Sequence, residues 1–143
     1  MTDNKTGSVL REVARLHDRL QRQTVSCCDT TLTQCQVLTT LGRSGPMTLA
    51  DLGRSLGLDK GWVSRTVESL ASESLLTKQP CTEDKRTIII SLSSEGERRL
   101  EELDGTLNGL SHRMIQRIPE SRRAEVASAL ELLQQVLQSE LNK

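Results

Sequence analysis

Aromatic side chains are almost absent from this sequence. It contains no Phe and no Tyr, and Trp62 is its single Trp. A protein that binds single-stranded nucleic acid by base stacking, or a methylated amine in an aromatic cage, needs several aromatic rings. The composition therefore argues against both classes. It indicates an aliphatic core, which suits packed helices.

Net charge and long apolar runs are lacking as well. The 143 residues carry 19 Lys and Arg against 19 Asp and Glu, so binding to nucleic acid requires a local patch rather than an overall field. No run approaches about 18 consecutive apolar residues, the length that predicts a membrane span. Residues Met1 to Gly7 are polar and do not resemble a signal peptide. We therefore expect a cytoplasmic protein without a membrane partner.

Motifs of enzyme catalysis are also missing. No His stands beside a Cys or Ser in a recognisable motif, and no glycine-rich phosphate loop is present. The adjacent pair Cys27 and Cys28 is not the Cys-x-x-Cys pattern of a thiol oxidoreductase. We expect no enzymatic activity and no required cofactor.

Both ends of the chain carry apolar residues at helical spacing, which predicts one helix at the N-terminus and two at the C-terminus, separated by Pro119. These long stripes exceed what a small central domain can cover, so a second copy of the chain is the expected partner. The alternative is an intramolecular bundle. The stripes are Val9, Val13, Leu16 and Leu20; Leu100, Leu103, Leu107, Leu110, Met114 and Ile118; and Val126, Leu130, Leu133, Val136, Leu137 and Leu141.

The central part of the chain predicts a helix capped by Thr33 and then a helix-turn-helix. Thr48 and Asp59 are the expected N-caps of two short helices, and the turn Leu56-Gly57-Leu58-Asp59 joins them. Ser94 is the expected cap of the long helix that follows.

Between these helices the hydrophobic period changes. Leu75 to Gln79 reads as one strand, and Arg86 to Leu92, which is β-branched at its centre, reads as the returning strand. The turn from Pro80 to Lys85 joins them. A hairpin that directly follows a helix-turn-helix is a wing.

Three stretches in this order resemble the multiple-antibiotic-resistance regulator (MarR) family of bacterial winged-helix proteins. Thr48 to Asp59 resembles the first part of the family's helix-turn-helix, and Val63 to Leu70 resembles its recognition helix. Asp84-Lys85-Arg86 resembles its wing motif Asp-x-Arg. Ser74 stands where the family usually has Gly, a position that favours positive φ.

The resemblance implies a mainly α fold with a small β-hairpin wing, a winged helix-turn-helix with dimerisation helices at both ends. Residues 1–143 form a single subunit, with a DNA-binding core at about 32–93 and dimerisation helices at about 7–28 and 94–143.

The resemblance also implies a function. The chain would be a homodimeric transcription regulator, a repressor released by a signal, that binds a pseudo-palindromic operator in double-stranded DNA. Arg65 is the expected contact to guanine or phosphate, and Arg86, oriented by Asp84, is expected in the minor groove. The alternative is a winged-helix module that binds proteins and carries ordinary solvated charges. The full set of expected DNA contacts is Arg54, Lys60, Gly61, Ser64, Arg65, Thr66, Asp84, Lys85 and Arg86.

Three of the four cysteines, Cys27, Cys28 and Cys35, lie close together in sequence. Cys35 is near the start of a predicted helix, where the dipole favours a thiolate. Three thiolates suit arsenite or another thiophilic metal ion as effector, and they equally suit oxidation. Two alternatives stay open, which are cysteines that only pack in the core and a small organic effector. Cys81 lies apart, in the wing.

Overall fold

The computed structural model describes the backbone of residues 2–143 and the side chains of residues 4–143. This part of the chain forms a mainly helical fold with a small antiparallel sheet, which confirms the fold class. No helix in it is long and apolar enough to cross a membrane. The elements are, in chain order, α1 (Thr2–Ser26), α2 (Leu32–Ser44), β1 (Met47–Thr48), α3 (Leu49–Leu56), α4 (Lys60–Ser72), β2 (Leu76–Pro80), β3 (Ile88–Leu92), α5 (Ser94–Gln116) and α6 (Glu120–Leu141).

The chain divides into two compact units. The first runs to Leu107 and holds α1 to α4, the sheet and the first part of α5, and the second comprises Asn108–Lys143. The first unit contains the hydrophobic core, which is aliphatic throughout as the composition predicts. Its buried side chains are Val25, Leu32, Cys35, Val37, Leu38, Leu41, Leu52, Val63, Val67, Leu70, Leu75, Leu76, Ile90 and Leu103.

The sheet has the strand order β1-β3-β2, and both pairings are antiparallel. The predicted hairpin is confirmed as β2 and β3, but the returning strand begins at Ile88 rather than at Arg86. The reason is that the backbone amide of Arg86 donates to the Asp84 carboxylate at 3.0 Å, which keeps Arg86 in the turn. The short strand β1 was not predicted, because two residues, Met47 and Thr48, carry no detectable period.

Local side-chain hydrogen bonds begin the helices. Thr48 and Asp59 cap α3 and α4 as predicted, with hydrogen bonds from the backbone amides of Asp51 at 3.0 Å and Trp62 at 2.9 Å. The predicted cap Thr33 is wrong. Thr31 caps α2 instead, in the reciprocal arrangement of a capping box.

The predicted cap of α5, Ser94, is wrong as well, because the capping side chain is that of Ser93. The amide of Gly96 donates to the Ser93 hydroxyl at 3.0 Å. In both places several Ser and Thr residues follow one another, so the choice among them depends on where the backbone turns.

The end of α4, the start of β2 and the start of α5 meet at one point. Ser74 has a φ of 64°, the left-handed conformation expected from its position. The Leu75 carbonyl accepts a hydrogen bond from the Ser93 amide at 3.1 Å. It also lies so close to Gly96 that an added Cβ there would be 2.0 Å from the carbonyl oxygen. Only glycine allows α5 to approach β2 this closely.

The predicted apolar stripes of α1 and α6 stay largely uncovered in the single chain. On α1, Val9 is 53% exposed and Val13 is 51% exposed. In α6, which belongs to the second unit, no residue is buried. Its exposed large apolar residues are Leu130, Leu132, Val136, Leu137 and Leu141.

The two serines at the end of α4 yield a matched stability prediction. We expect Ser74→Gly to raise the free energy of unfolding by about 0.5–1 kcal/mol, because glycine adopts positive φ without a steric penalty. We expect Ser72→Gly to lower it by about 0.5 kcal/mol, because Ser72 is the last residue of the helix. Urea unfolding of the two variants checks this, and two shifts of the same sign would contradict it.

Candidate nucleic-acid interface

Helix α4 is held by one face and exposes the other. Val63, Val67 and Leu70 are at most 2% exposed and pack in the core. Three of the predicted contact residues on this helix are exposed and two are half-buried. The exposed residues are Lys60, Gly61 and Arg65, and the half-buried residues are Ser64 and Thr66. Glu68 is also exposed on this helix.

Two predicted contacts on this part of the fold are already engaged within the chain. The hydroxyl of Thr66 donates to the backbone carbonyl of Trp62 at 3.0 Å, so its hydrogen is used within α4. Arg54 forms a salt bridge with Asp51 on α3, although its side chain is 74% exposed. A pair of this kind, between exposed groups on one helix turn, contributes little stability and exchanges readily for a phosphate.

Arg65 is the central cation of the exposed face. No salt bridge within the described residues includes it. Its Nη1 atom lies over Gly61, 3.3 Å from where a Cβ would stand. A larger residue at position 61 would therefore displace the guanidinium. The nearby acid Glu68 forms a salt bridge with Lys78 of β2.

The wing presents Arg86 on a turn that Asp84 organises. One oxygen of Asp84 accepts from the Arg86 amide at 3.0 Å and lies 3.4 Å from its Nε atom, and the other lies 3.4 Å from the Thr87 hydroxyl. The backbone adds a hydrogen bond from the Thr87 amide to the Asp84 carbonyl at 2.9 Å. The Arg86 side chain is 94% exposed. Its neighbour Lys85 is also exposed. The turn is thus ordered while its cations stay exposed to solvent.

A cleft of about 440 Å³ adjoins the exposed face of α4. It lies between the end of α1, the start of α2 and one side of α4. The sequence did not indicate it, because its walls come from three elements that are distant in the chain. Its lining residues are Arg22, Thr31, Thr33, Gln34, Trp62, Arg65, Thr66 and Ser69.

The cysteines differ from one another in exposure. Cys27 is exposed, Cys28 and Cys81 are half-buried, and Cys35 is buried, all as free thiols. Burial raises the pKa of Cys35, and the charges of Asp104 and Cys28 raise it further, while a contact with the Thr39 hydroxyl opposes the rise. Burial thus opposes the thiolate that the sequence predicts at Cys35. The helix is capped by Thr31, and Cys35 lies inside it, facing the core.

The three cysteines do not form a metal centre within one described chain. Among residues 4–143, no three side chains of the His, Cys, Asp and Glu types lie close enough together to hold a metal ion. The contacts of the two inner thiols are with hydroxyls instead. Cys28 Sγ lies 3.9 Å from Thr106 Oγ1, and Cys35 Sγ lies 3.9 Å from Thr39 Oγ1.

Comparisons with known proteins agree with this geometry. Residues 30–88 match the model of the MarR family. The multiple antibiotic resistance protein MarR of Salmonella typhimurium is 29% identical over 90 residues, which are 63% of this chain and 62% of that protein. The HTH-type transcriptional repressor NicR of Pseudomonas putida is 28% identical over 99 residues, which are 68% of this chain and 61% of that protein. The match thus spans about three fifths of these relatives' length.

The solved structures extend the similarity over nearly the whole chain. A crystal structure of a mutant MarR from E. coli complexed with operator DNA is similar with a TM-score of 0.76 and 26% identity, and the match covers 92% of each chain. The segment that matches the family model contains the helix-turn-helix and reaches the end of the wing turn. The order of elements is the one expected from the sequence, and residues 30–88 of this chain match the MarR family.

Proposed function

We propose that the chain is a sequence-specific regulator of transcription that binds double-stranded operator DNA as a homodimer and acts as a repressor. One observation carries the proposal. The winged helix presents the exposed Arg65 on α4 and the exposed Arg86 on an ordered wing turn. A winged helix that binds only proteins does not need an exposed arginine both on this helix and on the wing turn. The mutant MarR of similar fold, complexed with operator DNA, supports the same function.

The two arginines suit different parts of a DNA duplex. A helix exposed along one face fits the major groove, where a guanidinium can bind guanine O6 and N7 with two hydrogen bonds. A narrow turn with an arginine at its tip fits the minor groove, where the negative potential attracts the cation. Lys60, Lys85 and Arg54 are placed to bind phosphates around these two contacts.

The neutral charge balance of the chain does not oppose this function. Asp51, Asp59, Glu68 and Asp84 each engage a cation or a backbone amide within the fold. The negative charges of these four acids are therefore partly compensated by groups within the fold. The cations of the proposed surface, Arg65 above all, face solvent, and a local positive potential is what DNA requires.

The uncovered stripe on α1 supports the proposed dimer. Five large apolar residues there are between 37% and 53% exposed, which is typical of an interaction surface rather than of a free helix. A two-fold partner would bury the same stripe on both copies. The stripe comprises Val9, Leu10, Val13, Leu16 and Leu20.

For the releasing signal we propose the thiols Cys27, Cys28 and Cys35, with arsenite, another thiophilic metal ion or an oxidant as effector. The charge of Cys28 affects the pKa of Cys35, so the two thiols are near enough to interact. A metal bound by all three would need a rearranged segment or thiols of the second subunit. The burial of Cys35 favours the alternative of structural cysteines and a small organic effector.

The DNA proposal predicts a specific loss at the wing. We expect Arg86→Ala to weaken operator binding by about 1–3 kcal/mol, roughly 5- to 150-fold, because the minor-groove contact disappears. Fluorescence anisotropy with DNA from upstream of the chain's own gene measures the affinity. Arg98→Ala is the matched control, since Arg98 is exposed on α5 and outside the proposed surface. Equal affinities of the two variants would contradict the role of Arg86.

The dimer proposal predicts that Val13→Asp yields a monomer. A carboxylate in the middle of the apolar stripe would be desolvated without a partner. Light scattering measures the molecular mass of the variant. Its affinity for the operator should also fall, because a monomer cannot bind two half-sites together. Arg11→Asp places the same side chain on the opposite face of α1 and should stay dimeric. An unchanged mass for Val13→Asp would refute this interface.

The thiol proposal predicts that arsenite or peroxide releases the reduced protein from DNA. We expect Cys35→Ser to bind DNA with unchanged affinity and to lose the response, because it removes one of the two interacting thiols. Cys81→Ser, which changes the wing thiol instead, should keep the response. Release that persists in Cys35→Ser would return this cysteine to a purely structural role.

A further inference from the structure

The cleft beside α4 contains two arginines from different elements. Arg65 comes from α4, and Arg22 comes from the end of α1, the helix that also carries the apolar stripe. Thr33 and Ser69 add hydroxyl groups to the lining, and the single Trp of the chain, Trp62, adds an indole ring that is half exposed. Among the side chains of residues 4–143, no acidic one lines the cleft.

Hydrogen bonds join other residues of the cleft lining. The Gln34 side chain accepts from the Thr31 amide at 3.0 Å and donates to the Ser69 hydroxyl at 3.2 Å. This links the start of α2 to the side of α4. Because the Ser69 oxygen is the acceptor in this contact, the Ser69 hydroxyl retains its own hydrogen for another partner.

Arg22 is oriented rather than neutralised by its neighbour. Its Nε atom donates to the Asp18 carboxylate at 2.7 Å, one helical turn away, and the side chain remains 60% exposed. The two terminal nitrogens of the guanidinium are not used in this bond. A guanidinium fixed at Nε presents those nitrogens as a pair, which is the geometry that binds two oxygens of an anion.

Two guanidiniums and two hydroxyls around one small space form a site for an oxyanion of the phosphate class. The position of the cleft indicates which molecule would supply this oxyanion. Arg65 belongs both to the cleft and to the exposed face of α4, so an anion bound in the cleft would lie at the edge of that face. A DNA duplex bound to the exposed face would bring a backbone phosphate to this edge.

We propose that the cleft binds a backbone phosphate of the DNA and that Arg22 of α1 contacts DNA directly. This inference rests on the proposed DNA-binding function and extends it to a helix outside the helix-turn-helix. A phosphate contact carries no base information. Its removal therefore weakens binding to all sequences alike and lowers the dependence of affinity on salt.

The test compares Arg22→Ala with Arg15→Ala. Both arginines lie on α1, both pair with an acid on the same helix, and their side chains are 60% and 59% exposed, but only Arg22 lines the cleft. We expect Arg22→Ala to bind about 3- to 10-fold more weakly, equally on operator and on an unrelated duplex. The slope of log affinity against log salt should fall by about 0.9 for each phosphate that the variant no longer neutralises. Arg15→Ala should match the wild type in its affinity for both duplexes and in the salt slope.

Neutral methylphosphonate groups, placed one at a time in the duplex, identify the phosphate. At one position in each half-site, the neutral group should weaken binding by the wild type. Arg22→Ala already lacks the contact with that phosphate, so the same group should weaken its binding no further. A weaker affinity of Arg22→Ala with an unchanged salt slope would overturn the inference, and so would equal sensitivity of both proteins at every phosphate. Failure of the wild type to bind any duplex would instead overturn the proposed function.

The same cleft offers a test of a free anion as the ligand. Trp62 fluorescence reports on occupancy, and it should change with DNA in the wild type. Titration with inorganic phosphate at constant ionic strength should leave it unchanged at millimolar concentration. A saturable response to phosphate, together with unchanged DNA affinity in Arg22→Ala, would assign the cleft to a free anion and overturn the DNA contact.

Discussion

The position of the Leu75 carbonyl is the constraint on which the arrangement of the winged helix depends. It accepts a hydrogen bond from the backbone amide of Ser93, and it leaves no room for a side chain at Gly96. The hydroxyl of Ser93 closes the same junction by donating to the Ser74 carbonyl at 2.6 Å. The two strands of the wing are thereby tied to the end of α4 and the start of α5. The base of the wing is therefore fixed relative to α4.

The charge distribution shows how an electroneutral chain can present a cationic surface. Acids in the helix-turn-helix and wing are used for structure, because Asp59 caps a helix and Asp84 shapes a turn. Their negative charge is directed at backbone amides. The arginines that face solvent have no such local partner or only an exposed one. Net charge is therefore a poor guide to binding when many of the acids have structural roles.

Cys35 illustrates how a tertiary contact can reverse a local argument. Near a helix start the dipole lowers the pKa of a thiol, but the cap of α2 is Thr31, two residues before Thr33. Cys35 then points into the aliphatic core, where desolvation dominates and raises its pKa. Cys27 and Cys28, which follow the last residue of α1 in the turn toward α2, stay more accessible. A chemical signal would reach these two thiols first.

Local sequence by itself determined the order and type of the elements. Thr48 and Asp59 are caps because a short side chain before an apolar period has one favourable partner, the free amide of the next turn. The apolar stripe of α1 followed from its helical periodicity, and the returning strand of the wing followed from its run of β-branched residues. Only the tertiary structure decided the strand β1, the burial of Cys35 and the cleft that joins Arg22 to Arg65. These features depend on segments far apart in the chain, and the distance between such segments is set by packing rather than by any residue's own preference.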